Sequence, residues 1–106
     1  MAIIAKTSGD GRLVRILING RFDFSQHANF RNAYTIEDAS YRRYEIDLSN
    51  TSYMDSSALG MLLVLRERAG GDKADITLIG FNDEVGQILN ISRFDNLFKL
   101  ERPQAA

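Results

Sequence analysis

The sequence predicts a small α/β fold: a mostly parallel, mixed sheet packed against helices. Short runs of apolar and β-branched residues alternate with amphipathic stretches in the order β-β-α-β-α-β-α-β. After an opening hairpin, the spacing is that of right-handed crossover units, which build parallel sheets. The length of 106 residues leaves room for one domain, expected over residues 1–102, with residues 103–106 a flexible tail.

Each element has a local cause. Residues 3–7 and 13–18 are rich in β-branched side chains, and Ser8-Gly9-Asp10-Gly11-Arg12 between them supplies residues that tolerate positive φ. The second strand ends at Asn19-Gly20. From Ser25, the expected N-cap, the chain turns helical and sets Phe30, Ala33, Tyr34 and Glu37 on one face. Residues 44–48 alternate apolar and polar, the mark of a strand, and the polar residues 49–52 close it. Asp55 precedes an apolar helical run that stops at Ala69-Gly70-Gly71, where glycine suits a left-handed C-cap. Residues 74–79 form another strand. Asn82-Asp83 opens a third helix with Val85, Ile88 and Leu89 on one face, and residues 97–100 add a short final strand.

On a helical wheel Ala58, Leu62, Leu65 and Ala69 form one stripe, the expected core face, to be met by Ile46, Leu48, Ile76 and Leu78 from the strands. Function in such sheets gathers beyond the C-terminal ends of parallel strands. Residues 20–24, 50–57 and 80–83 are the loops that share that edge.

Composition narrows the function classes. Thirteen Lys and Arg against fourteen Asp and Glu give a net charge of -1, with no basic excess for nucleic acid or an anionic membrane. The longest apolar run, residues 58–65, is far short of the ~20 that span a bilayer. The start, Met1-Ala2-Ile3-Ile4-Ala5-Lys6, does not read as a secretory leader, so a cytoplasmic domain is expected. Without cysteine there is no disulfide framework, thiolate metal site or cysteine nucleophile. The single His27 reads as a solvated helix residue, and Asp23, Asp47 and Asp55 lie on separate segments without ligand spacing. Neither Gly9-Asp10-Gly11 nor Gly70-Gly71 has phosphate-loop spacing. Neither an enzyme nor a bound cofactor or metal is expected.

Tyr53-Met54-Asp55-Ser56-Ser57-Ala58-Leu59-Gly60 stands apart. Asp55 or Ser56 can accept from the free amides of the first helical turn. A phosphate on a serine there is stabilised by the same amides and by the positive end of the helix dipole. Two readings stand open at this point: a capping sequence alone, or a cap beside a phosphate acceptor. The wheel puts Ser56 nearly opposite the core stripe, in line with Gly60, Leu63 and Glu67. Gly60 costs a helix interior ~1 kcal/mol relative to Ala, a cost that a close-approach surface or tight packing explains. Leu63 and Val64 also face away from the core stripe, as a docking patch does.

Asp47-Leu48-Ser49 leading into this segment resembles the strand, loop and helix of the STAS domain family, in its anti-sigma factor antagonist type. Asn19-Gly20-Arg21-Phe22-Asp23 is similar to the family's Gly-x-x-Asp turn, and Phe81-Asn82 and residues 94–100 fit as well. Ala58 departs from the glycine that antagonists often carry. The resemblance, over about residues 3–100, implies partner switching. An anti-sigma factor with a histidine-kinase-like ATPase fold binds the unphosphorylated antagonist and frees a sigma factor. Kinase action on the serine breaks that complex, and a PP2C-type phosphatase restores it. It also implies Ser56 as the phosphorylated residue, Asp55 and Ser57 as its neighbours and Asp23 on the partner surface. Gly60, Leu63 and Val64 extend that surface by the wheel argument. The alternative is a STAS scaffold without phosphorylation, or one that binds a nucleotide or lipid.

Overall fold

Five strands pair through backbone hydrogen bonds into one sheet. The structure, a computed structural model, describes residues 2–35 and 43–102. Strands β1 (Ile3–Thr7) and β2 (Leu13–Ile18) pair antiparallel. The turn between them is closed by Asp10, which accepts from the Ser8 hydroxyl and the Arg12 amide, while Gly11 takes φ +74°. Strand β3 (Gly20–Phe22) follows, then a 3-10 turn over Phe24–Gln26 and helix α1 (His27–Thr35). Strands β4 (Arg43–Asp47) and β5 (Thr51–Met54) lead into helix α2 (Ser56–Arg68). Strand β6 (Asp75–Ile79), helix α3 (Asp83–Ile91) and strand β7 (Lys99–Glu101) complete the fold. The sheet order is β1-β2-β4-β6-β7, parallel at every pairing after the first, so the mixed, mostly parallel sheet expected from the sequence is present.

Register explains the core. Ile16, Ile46 and Leu78 pair in a row across β2, β4 and β6, and all are fully buried. Val14, Tyr44 and Ile76 make a second buried row. Each row lies on alternate strand positions, so one face of β2 and β4 meets the helices while the other carries polar pairs such as Arg15–Glu45. From α2, Ala58, Leu62, Leu65 and Ala69 enter the same core.

Three local expectations are corrected. Ser25 does not cap α1. Asp23 caps the 3-10 turn before it, accepting from the Ser25 amide, because a carboxylate with an extended backbone outcompetes the hydroxyl two residues later. Residues 20–22 and 51–54 are strands rather than loop, paired parallel as a separate two-stranded sheet. They escape the alternation rule because they are too short to show it. The last strand also starts at Lys99, two residues later than expected, since Phe94–Asn96 turns as a 3-10 helix and Leu97 only follows it. Glu37 and residues 103–106 lie outside the described residues.

Candidate functional site

The two-stranded sheet sets the site. In the parallel pairing of β3 with β5, Arg21 stands opposite Tyr53 and Phe22 opposite Met54. Phe22 and Met54 are buried, so both strands are anchored at their last residue and leave Arg21 and Tyr53 at the surface. The Arg21 guanidinium lies 4.2 Å above the Tyr53 ring and its Nε donates to Asp23 at 3.2 Å. Both strands then end on an aspartate that caps the next turn.

Asp55 is the N-cap of α2. Its backbone is extended, and its Oδ1 accepts from the amides of Ser57 and Ala58 at 3.0 and 3.1 Å. The same oxygen accepts from the Ser57 hydroxyl at 2.6 Å. That hydroxyl, chiefly, holds the Asp55 carboxyl below its ordinary range; partial burial opposes it, the helix amides add to it, and the charge of Asp23 opposes it again. Asp23 repeats the arrangement after the neighbouring strand. It too is held low, first by the Ser25 hydroxyl and then by Arg21. The two carboxylates are therefore close enough to repel, and both stay ionised at neutral pH.

Ser56 is the first residue of α2, and it is exposed. Its hydroxyl makes no hydrogen bond among the described residues, whereas that of Ser57 is committed to Asp55. Further along α2, Gly60 is exposed, and a Cβ added there meets nothing within 4 Å. Leu63 and Val64 are 38% and 53% exposed. The structure thus brings Asp23, Asp55, Ser56 and Ser57 to one edge and runs Gly60, Leu63 and Val64 down the outward side of the helix. Arg21, Tyr53 and the exposed Phe24 join them without having been singled out from the sequence. Their signal is the register of β3 on β5, which single-residue patterns do not carry.

Among the described residues, His27 and the serines at the start of α2 are not joined: His27 stacks on Phe24, ring centroids 5.2 Å apart, and no hydrogen bond links it to Ser56 or Ser57. No group of His, Asp and Glu side chains among them is placed to hold a metal ion. No helix among them is long and apolar enough to cross a membrane.

Known proteins resemble this chain in sequence or in fold. A STAS-domain containing protein of Pseudomonas aeruginosa (strain UCBPP-PA14) is 53% identical over 100 residues, covering 94% of this chain and 99% of that one. Among solved structures, a Thermotoga maritima protein described as a candidate anti-sigma factor antagonist has a TM-score of 0.81 at 18% identity, covering 95% of this chain and 86% of that chain. The anti-sigma factor antagonist SpoIIAA, in its unphosphorylated form, has a TM-score of 0.70 at 13% identity, covering 98% and 90%. At those identities the structural likeness is one of fold. The family model described as "Mlab, STAS domain" matches residues 5–101, and the chain belongs to the STAS domain family.

Proposed function

We propose that this protein is an anti-sigma factor antagonist controlled by phosphorylation of Ser56. The observation that carries the reading is the contrast between two adjacent serines. The hydroxyl of Ser57 is tied to the Asp55 cap, while that of Ser56 is exposed at the first position of α2 with no partner among the described residues. A phosphate there sits at the positive end of the α2 dipole, while Asp55 keeps the amides of Ser57 and Ala58, so the cap need not change to accept it.

In this reading the unphosphorylated protein binds an anti-sigma factor of histidine-kinase-like ATPase fold in the cytoplasm of a bacterium, and a sigma factor is freed. Phosphorylation releases that partner, and a PP2C-type phosphatase reverses the step. Asp23, Asp55, Ser57, Gly60, Leu63 and Val64 form the contact surface. In this reading the kinase and phosphatase, rather than this chain, carry out the catalysis. Likeness in fold to SpoIIAA, solved in unphosphorylated and phosphorylated forms, supports the assignment.

Affinity capture with the unphosphorylated protein, followed by incubation of the captured partner with ATP, tests the reading. Intact mass is expected to rise by one phosphate that maps to Ser56, and the complex to dissociate. Stable binding with no phosphate on any serine would instead favour the scaffold alternative.

A further inference from the structure

We propose that the cleft between α1 and α2 binds a small amphiphilic anion, a single acidic head on an apolar tail. This goes beyond the Ser56 switch and does not depend on it, although Ser57, Gly60 and Val64 line the cleft as well as the contact surface proposed above. The cleft measures about 470 Å³, within the ~300–1,000 Å³ range of small-ligand sites. Phe30 and Met61 are buried at its lining, and Phe24 and Val64, 69% and 53% exposed, stand as apolar walls. Exposed apolar side chains of this size on facing walls mark a surface made to be covered.

Gly60 points the same way. It lines the cleft from the middle of α2, where glycine costs the helix ~1 kcal/mol relative to Ala. Nothing inside the protein explains the choice, since a Cβ there meets no atom within 4 Å. The missing side chain keeps the trough open.

The charges are gathered around one residue. Arg31 and Arg68 line the cleft, and neither makes an ion pair among the described residues, although six other Lys and Arg side chains do. Both guanidinium groups act electrostatically on the phenol of Tyr34, whose hydroxyl makes no hydrogen bond among the described residues. Burial raises the Tyr34 pKa, so the phenol keeps its proton and remains a donor. Two cations and one donor, none with a partner among the described residues, line the cleft together, and they complement an acidic head of fixed negative charge. A bound peptide spreads its charges along its length; this pattern fits one head. From Ser57 to Arg68 the α2 wall runs ~16 Å at 1.5 Å per residue, room for a medium-length tail toward Phe24.

Octyl phosphate is the probe, with octanol and inorganic phosphate as its two halves. Calorimetry on the full chain, with NMR shifts read at the Met61 methyl, is expected to show saturable one-to-one binding of octyl phosphate. Octanol should bind about tenfold or more weaker, the loss that follows from removing hydrogen bonds to charged groups. Arg31→Gln combined with Arg68→Gln should bring octyl phosphate down to the octanol level. Gly60→Leu should fill the trough and abolish binding. The two arginines are exposed, so their variants are expected to fold and to keep the proposal testable if Gly60→Leu does not. Equal affinity for octanol and octyl phosphate overturns the proposal, as does undiminished binding by folded Gly60→Leu or by the arginine pair. It is overturned in favour of a second copy of the chain if octyl phosphate does not bind and the protein self-associates until Gly60→Leu is introduced. It is overturned in favour of a membrane surface if the protein floats with anionic vesicles but does not bind the monomeric probe.

Discussion

Three alanine substitutions at consecutive positions should differ sharply, because the residues do different work. Ser56→Ala removes a hydroxyl with no partner among the described residues from an exposed site, so stability should stay within about 0.5 kcal/mol of the wild type. Ser57→Ala deletes the 2.6 Å bond to Asp55, a partly buried charge-assisted contact, and should cost about 1 kcal/mol. Asp55→Ala uncaps α2: the amides of Ser57 and Ala58 lose their acceptor, and a negative charge leaves the positive end of the helix dipole. The expected loss is about 1–2 kcal/mol, the upper range for a cap. Urea unfolding followed by circular dichroism gives the stability order, and incubation with partner and ATP gives the phosphate. Only Ser56→Ala should fail to accept it. If Ser56→Ala unfolds as readily as Asp55→Ala, Ser56 is part of the cap and the division of labour is wrong. If Ser57→Ala blocks phosphorylation while Ser56→Ala does not, the hydroxyl bound to Asp55 is the acceptor and the geometric contrast misleads.

Ser56→Asp should weaken partner binding less than true phosphorylation does, since it brings about half the charge, and titration against the captured partner reads the difference. Acid should erode stability through Asp10, Asp23 and Asp55, all held below the ordinary carboxylate range in the fold. A lowered folded pKa contributes stability above the unfolded value near ~4 and loses it as pH falls through the folded value, so urea midpoints should fall below about pH 4, and less steeply in Asp55→Asn. Gly60→Ala should stabilise the protein by up to ~1 kcal/mol in thermal unfolding, because the added methyl meets nothing and the helix gains propensity. Gly80→Ala should do the opposite, by ~1–3 kcal/mol: its φ is +75° and the new Cβ would lie 3.0 Å from the Ser49 Cβ.

The parts of this molecule legible in its sequence are those set by local periodicity. The stripe of Ala58, Leu62, Leu65 and Ala69 is buried because a helix repeats its face regardless of what it packs on. The alternation of Tyr44, Ile46 and Leu48 against polar neighbours likewise places them in the core. What escapes is set by pairing between distant segments. Gly20–Phe22 and Thr51–Met54 are too short for a pattern, and each becomes a strand only because the other lies beside it. Arg21 over Tyr53 follows from that register and from nothing in either segment alone. The α1–α2 cleft is hidden for the same reason. Phe30 and Tyr34 share the helix face that the sequence sets out and are buried, but the gap they border exists only once α2 is set against them with Gly60 facing it.

How a phosphate on Ser56 would release a partner depends on which charges it meets in each state. It adds about -1.5 to -2 charges. In the free protein these face Asp55, the residue just before Ser56, and then Asp23, which already opposes the ionisation of Asp55 and is itself paired with Arg21 at 3.2 Å. A carboxylate ~6 Å away at an effective dielectric near 20 costs roughly 4–5 kcal/mol before screening. Large as it is, that repulsion from Asp55 and Asp23 is present in the free and bound states alike, so it cancels from the affinity. Only groups that arrive with the partner change the equilibrium, since a modification shifts binding by its differential interaction alone. One partner carboxylate at that distance is enough for a ~10³-fold loss. In the proposed switch the acidic pair on this chain therefore leaves the affinity unchanged, and release would depend on the charges that the partner brings to Ser56.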